Sequence, residues 1–378
     1  MLKNVVFKIS YLIVLTSLMI IITESTRACM IPVFRFGLET WPPEDYEFII
    51  FHKGPMSEED ALIVENLKEP SDHPLSHANF TVHTVDVSGK MSDWLQSLWE
   101  VFDSPELPFF VAIYPQIKGY RGSFWSGRLS KDVVQKVVDS PARQEIAKKI
   151  IGGDAAVFVL LESGNPTKDD ATAKFISEQL SIMNNELTLS PELIDIAEAC
   201  ALEIGIHFSL IRISRDDPAE EIFINMLVYS EPWLSELQSS PMVFPIFVRG
   251  RALDAFVGKG IKEKFIQEVC EFVINACACE VKEDNAGLDL LIAVDWDADI
   301  GKRWVDEEIP LVGSMTLTSM AKSDESSDLT NSASTNESET NITSNRLLRN
   351  IIITILAILV VVIAISLILR PGKKGKIE

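Results

Sequence analysis

Cysteine and histidine are both scarce in this chain, with five of each in 378 residues. A disulfide-stapled scaffold of this length would need far more thiols. The fold must therefore rest on an apolar core, and an apolar content of 47% supplies one. No C-x-x-C pair and no G-x-S-x-G elbow occurs, and Gly258-Lys259-Gly260 lacks the spacing of a phosphate loop. None of His52, His73, His77, His83 and His207 lies beside the cysteines, so no Cys/His metal site is indicated. Positive charge is also in deficit: 34 Lys and Arg against 55 Asp and Glu give a net charge of −21. The two ends, 1–28 and 346–378, carry +2 and +5, so residues 29–345 hold −28. That surface excludes nucleic acid and anionic lipid as partners of this portion.

Long apolar runs are confined to the ends. Ile351–Leu369 is 19 residues without a charge. As a helix it spans roughly 28 Å, close to the bilayer core. Arg370, Lys373, Lys374 and Lys376 follow it, and only Arg346 and Arg349 precede it. The richer basic side predicts a cytoplasmic tail and a type I single-pass topology, with the bulk of the chain extracytoplasmic. At the other end, Lys3 and Lys8 precede an apolar run from Tyr11 to Ile22, and TESTRA then ends at Ala28. This pattern predicts a secretory signal peptide over 1–28. An uncleaved anchor, or lipidation of Cys29, remains an alternative. The membrane is thus one expected partner.

Between 316 and 345 the chain is Ser, Thr, Asn and acid with hardly an apolar side chain. Such a stretch cannot bury enough surface to fold and predicts a disordered stalk, reaching roughly 30 Å on average. A transmembrane helix over 346–370 and a basic tail over 371–378 complete the scheme. Asn79, Asn336 and Asn341 lie in N-x-S/T sequons.

The remaining 29–315 alternates apolar runs with amphipathic ones, which predicts an α/β arrangement. Strands are expected at Tyr46–His52, Phe80–Val87, Phe109–Tyr114, Gly122–Ser126, Ala156–Leu161, His207–Ile213, Met242–Val248, Ala252–Val257 and Leu288–Val294. Helices are expected at Ser57–Leu67, Asp93–Phe102, Lys131–Val138, Pro141–Ile150, Asp169–Met183, Pro191–Ile204, Ala219–Val228 and Lys262–Ala276. Both halves then spell β-α-β-α-β-β-α, which predicts an internal repeat with domains over 29–153 and 154–315.

Pro241–Val273, PMVFPIFVRGRALDAFVGKGIKEKFIQEVCEFV, is a proline-led strand, a turn, a second strand, a glycine and an amphipathic helix. Leu107–Val138 is a looser copy. This unit resembles the closing half of the thioredoxin-like fold, over roughly 44–140 and 154–278. The resemblance implies two consecutive thioredoxin-like domains, each a central mixed sheet flanked by helices. It also implies cis prolines beside the functional edge, at Pro108 and Pro241, with Pro245 a rival. Family members active in redox chemistry carry C-x-x-C where this chain has Gly54–Asp60 and Gly164–Asp170, and neither stretch contains cysteine. Ser57 and Thr167 there are expected as ordinary helix caps. The opening Cys29–Trp41 segment resembles the start of exported bacterial proteins.

The resemblance implies a redox-inactive, non-enzymatic protein-binding or scaffold component, with no cofactor expected. Two other chemistries compete. Cys277-Ala-Cys279, with Cys270 nearby, could form a labile redox pair, although a structural bridge from Cys277 or Cys279, with Cys29 one distant partner, or a buried thiol, is the plainer reading. The acidic extracytoplasmic portion could bind calcium with low affinity; Asp295, Asp297 and Asp299 alternate as in a calcium loop, but Ile300 stands where such a loop needs glycine. Arg249 and Arg251 are expected on the surface at a strand turn.

Overall fold

The computed structural model describes residues 31–300 apart from 69–73, 116–121, 192–193, 195–204, 276–281 and 283–286. The signal peptide, stalk, span and tail expected from the sequence lie outside the described residues, as do Cys29, Cys200, Cys277 and Cys279. Among the described residues, no helix is long and apolar enough to cross a membrane.

The architecture is mixed α/β, with two sheets flanked by helices. The first half runs α1 (Val33–Thr40), β1 (Tyr46–His52), α2 (Glu58–Lys68), β2 (Phe80–Asp86), α3 (Asp93–Glu100), β3 (Phe109–Ile113), β4 (Ser123–Arg128) and α4 (Lys131–Val138). Its four strands lie in the order β2-β1-β3-β4. β1 pairs parallel with β2, which requires the crossover that α2 supplies, and antiparallel with β3. Helix α5 (Pro141–Ile151) follows, with Ser140 Oγ accepting from Arg143 N and Pro141 at the first helical position.

The second half runs β5 (Ala156–Leu161), α6 (Pro166–Glu186), β6 (Phe208–Ile213), α7 (Glu221–Val228), β7 (Met242–Phe247), β8 (Arg251–Ala252), β9 (Phe256–Val257) and α8 (Glu263–Ile274). β10 (Leu288–Asp289) and the short α9 (Trp296–Asp299) end the described chain. The path β10-β8-β7-β5-β6 makes the second sheet, and β9 also pairs with β7. β5, AVFVLL, is buried at every position, as a central strand covered on both faces should be. The element order in both halves is compatible with thioredoxin-like domains.

Two strand expectations change in detail. The predicted Ala252–Val257 strand is broken into β8 and β9 opposite Pro245. Ile246 faces Ala252, whereas Val243 faces Phe256, so the second strand carries one extra residue. Leu253 N donates to Pro245 O at 2.9 Å, which puts the missing N–H of Pro245 on this same side. A bulge is the usual answer to a proline within a ladder. The predicted strand over Leu288–Val294 pairs only at Leu288–Asp289. Beyond it, side chains take the backbone groups: Leu291 O accepts from Arg143 and Ala293 O from Gln144, while Ile292 N donates to Asn79 Oδ1.

No local pattern announces α1, whose sequence, VFRFGLET, is aromatic and contains glycine. It belongs by contact with the second sheet rather than the first. Gly37 sits so close that an added Cβ would lie 2.6 Å from Val248 Cγ1. Arg249 Nε donates to Leu38 O at 2.7 Å and closes the helix end. Arg249 and Arg251 are therefore buried rather than on the surface, each matched to a carboxylate: Asp297 at 2.7 Å and Asp289 at 2.9 Å. Burial of a guanidinium demands such partners.

Arg143 is the most buried cation among the described residues, with 0% exposure. Its nitrogens donate to Ser140 Oγ, Val137 O, Lys136 O and Leu291 O, and its guanidinium carbon lies 5.7 Å from the Phe223 ring centre. Burial lowers its pKa to about 10 against the pull of Asp139 and Glu220, so it remains charged at neutral pH.

Candidate functional site

The strand register makes the repeat concrete. Phe51 faces Phe109 in the first sheet, and Leu161 faces Met242 in the second. Pro108 and Pro241 therefore occupy equivalent positions, each one residue before its strand. Leu129 N donates to Pro108 O, and Gly258 N donates to Pro241 O, both at 2.9 Å. Gly54 and Gly164 are equivalent too, and both have positive φ, 67° and 83°, where the chain turns from central strand into helix.

The two proline sites differ in geometry. The Leu107–Pro108 bond is cis. Among the described residues no other cis bond is found, so Pro241 and its rival Pro245 are trans. Trans is the intrinsic preference even before proline, and the bulge beside Pro245 accommodates its ring without a cis bond.

In the first half, the N-terminus of α2 and the Pro108 edge are joined by charge. Ser57 Oγ accepts from Asp60 N at 3.1 Å and donates to Asp60 Oδ2 at 2.7 Å, a reciprocal cap. Arg128, from the end of β4, reaches both oxygens of Asp60 at 3.3 and 3.4 Å and donates to Pro108 O at 3.2 Å. Glu106 lies 3.5 Å from Arg128 Nε. The N-terminus of α2 beside Pro108 thus holds a hydroxyl, a carboxylate and a guanidinium, already engaged with one another. It offers hydrogen-bonding groups and charge but no sulfur nucleophile.

In the second half, the cap of α6 is Asn165, which accepts from Lys168 N, with Pro166 at the first helical position. The sequence expectation of Thr167 is off by two residues because proline pre-sets the start of the helix. Asp169 is buried and accepts from both Ser163 N and Ser163 Oγ at 2.8 Å. The residue equivalent to Arg128 is Val257, since Phe109 faces Arg128 and Met242 faces Val257. Valine carries no charge, so this position cannot bridge helix and proline as Arg128 does.

The remaining candidates do not converge. Cys270 is fully buried, and burial pushes its thiol up to about 12, which removes it as a nucleophile at neutral pH. Cys277 and Cys279 lie outside the described residues. Asp295 caps α9 by accepting from Ala298 N and lies 3.4 Å from His77 Nδ1, while Asp297 turns to Arg249. Asp295 and Asp297 thus turn to separate partners, and no group of three metal-ligating side chains occurs among the described residues. Asn79 is buried, donating to Glu44 O and accepting from Ile292 N, so its sequon is closed to modification in the folded protein.

A cavity of about 390 Å³ opens between α2 and α4, floored by Ile63, Leu67, Leu75, Phe80 and Val134. Sequence reading missed it, because a gap between two helices leaves no local signal.

No protein-family model matches the chain, and no curated protein does. Among solved structures, it is similar to the first two thioredoxin domains of Eps1p from Naumovozyma dairenensis. That match covers 68% of this chain and 99% of the other at 14% identity, with a TM-score of 0.19.

Proposed function

We propose that this chain is a membrane-anchored, extracytoplasmic protein whose two thioredoxin-like modules bind other proteins and do not exchange thiols. One observation carries the reading: the equivalent helix starts after the two central strands hold Ser57, Asp60, Asn165 and Asp169, and no cysteine. The repeated order β-α-β-α-β-β-α and the shared proline register support the modules. The apolar run at 351–369 and its basic flank support the anchor. In the first module, Arg128, Glu106 and the Pro108 edge are the groups available to a partner's backbone and polar side chains.

The test uses the full chain reconstituted in lipid. It should not reduce insulin, and Cys277→Ser and Cys279→Ser variants should match it. Site-specific photocrosslinkers placed at Glu106 and at Met56 on intact membranes should give one discrete adduct that Arg128→Glu abolishes. Turnover of insulin that is lost in Cys279→Ser would make the chain a thiol-disulfide oxidoreductase instead.

A further inference from the structure

The connection from α7 to β7 displays three large apolar side chains: Tyr229 is 49% exposed, Trp233 44% and Leu237 40%. This connection is braced by successive turns. Leu234 N donates to Glu231 O at 3.1 Å, Glu236 N to Trp233 O at 3.3 Å and Ser240 N to Leu237 O at 3.0 Å. Leu234, between the exposed residues, is itself buried at 1% and pins the segment to the core. Ser230 Oγ donates to Leu227 O, and Ser235 Oγ donates to Pro232 O. Exposed aromatics on a backbone already ordered lose little further entropy on binding, and Trp and Tyr are the residue types that dominate binding energy.

Charge indicates what would cover them. From Asp216 to Val248 the chain has no Lys, Arg or His, but it has Asp216, Asp217, Glu220, Glu221, Glu231 and Glu236. Asp216, Asp217, Glu221 and Glu236 are exposed. A second copy would bring the same acids, and an anionic bilayer would be repelled in the same way. We propose that Tyr229, Trp233 and Leu237, framed by Glu236, form a docking surface for a cationic amphipathic segment of another protein. Such a segment would place its apolar face on the aromatics and its Lys or Arg residues toward the carboxylates. This surface is built from other residues than the Pro108 edge, so the two readings stand or fall independently.

The full chain in nanodiscs of uncharged lipid is titrated with a labelled Leu/Lys amphipathic peptide and with its Leu/Glu counterpart, read by anisotropy. The expected result is saturable binding of the Leu/Lys peptide alone, weakening as salt rises. Trp233→Ala should weaken it by about 30-fold and Glu236→Lys by roughly 5-fold. Trp94, 42% exposed in the first half, is the control, and Trp94→Ala should leave binding unchanged. Trp233→Phe should retain most of the affinity, and an unchanged melting temperature checks that each variant folds. Equal binding of the Leu/Glu peptide, or indifference to Trp233→Ala, overturns the proposal. So does binding that appears only after the 316–345 stalk is cut, because the chain's own Arg346–Arg349 segment would then be the occupant.

Discussion

The two halves share a topology and a proline register, yet they treat the same edge in opposite ways. In the first, a cis proline, Arg128 and Asp60 form a partly exposed charged site. In the second, the proline is trans, Val257 replaces the arginine, and Asp169 is folded inward onto Ser163. Around them the packing differs too. α6 and α8 pack against each other, whereas α2 and α4 leave the cavity floored by Phe80. The second sheet gains β8, β10 and α1 as further cover. The same topology thus carries a charged, partly exposed edge in one half and an edge without that arginine in the other.

Arg143 gives the largest expected effect, because it joins the halves. Arg143→Ala leaves four acceptors without their donor, three of them backbone carbonyls, and should destabilise the protein by about 3–5 kcal/mol. Urea unfolding of the full chain measures it. A loss confined to one of two resolved transitions would break the picture of a joint shared by both halves.

The paired acids sharpen the contrast. Asp169→Ala should cost about 2–3 kcal/mol, because a buried carboxylate with two donors is lost. Asp60→Ala should cost less, about 1 kcal/mol, because its partner Arg128 is half-buried rather than enclosed and water can reach it. Thermal denaturation of both variants decides it, and equal losses would mean that the two edges are not functionally divided.

Glu220 should give the smallest effect. It caps α5 by accepting from Ala142 N at 2.7 Å, and burial raises its pKa above the usual 4.5. A raised carboxyl contributes stability that is present below the unfolded pKa and lost as pH rises through the folded one. Glu220→Gln should therefore match the parent near pH 4 and melt slightly higher at pH 7. A variant that melts lower at pH 7 than at pH 4, relative to the parent, would show that the carboxylate is stabilised instead.

Much of the scaffold was legible. Ser57, Ser130 and Ser140 cap the helices that follow them, as short hydroxyl residues before amphipathic runs should. β5 reads as a buried strand because every residue is apolar. α1 was not legible, since its helix is stabilised by the close approach of Gly37 to Val248 and by Arg249 at its end, both more than 200 residues away. The buried state of Arg249 and Arg251 was hidden for the same reason: their carboxylates come from distant segments.

The sequence by itself determined the repeated strand–helix order between Tyr46 and Ile274, the acidic balance and the absence of thiols at both helix starts, because periodicity and composition act locally. Only the tertiary structure decided which proline is cis, which acid meets an arginine, and where a cavity remains. Those outcomes depend on which side chains distant strands bring to one edge, and no local pattern encodes that meeting.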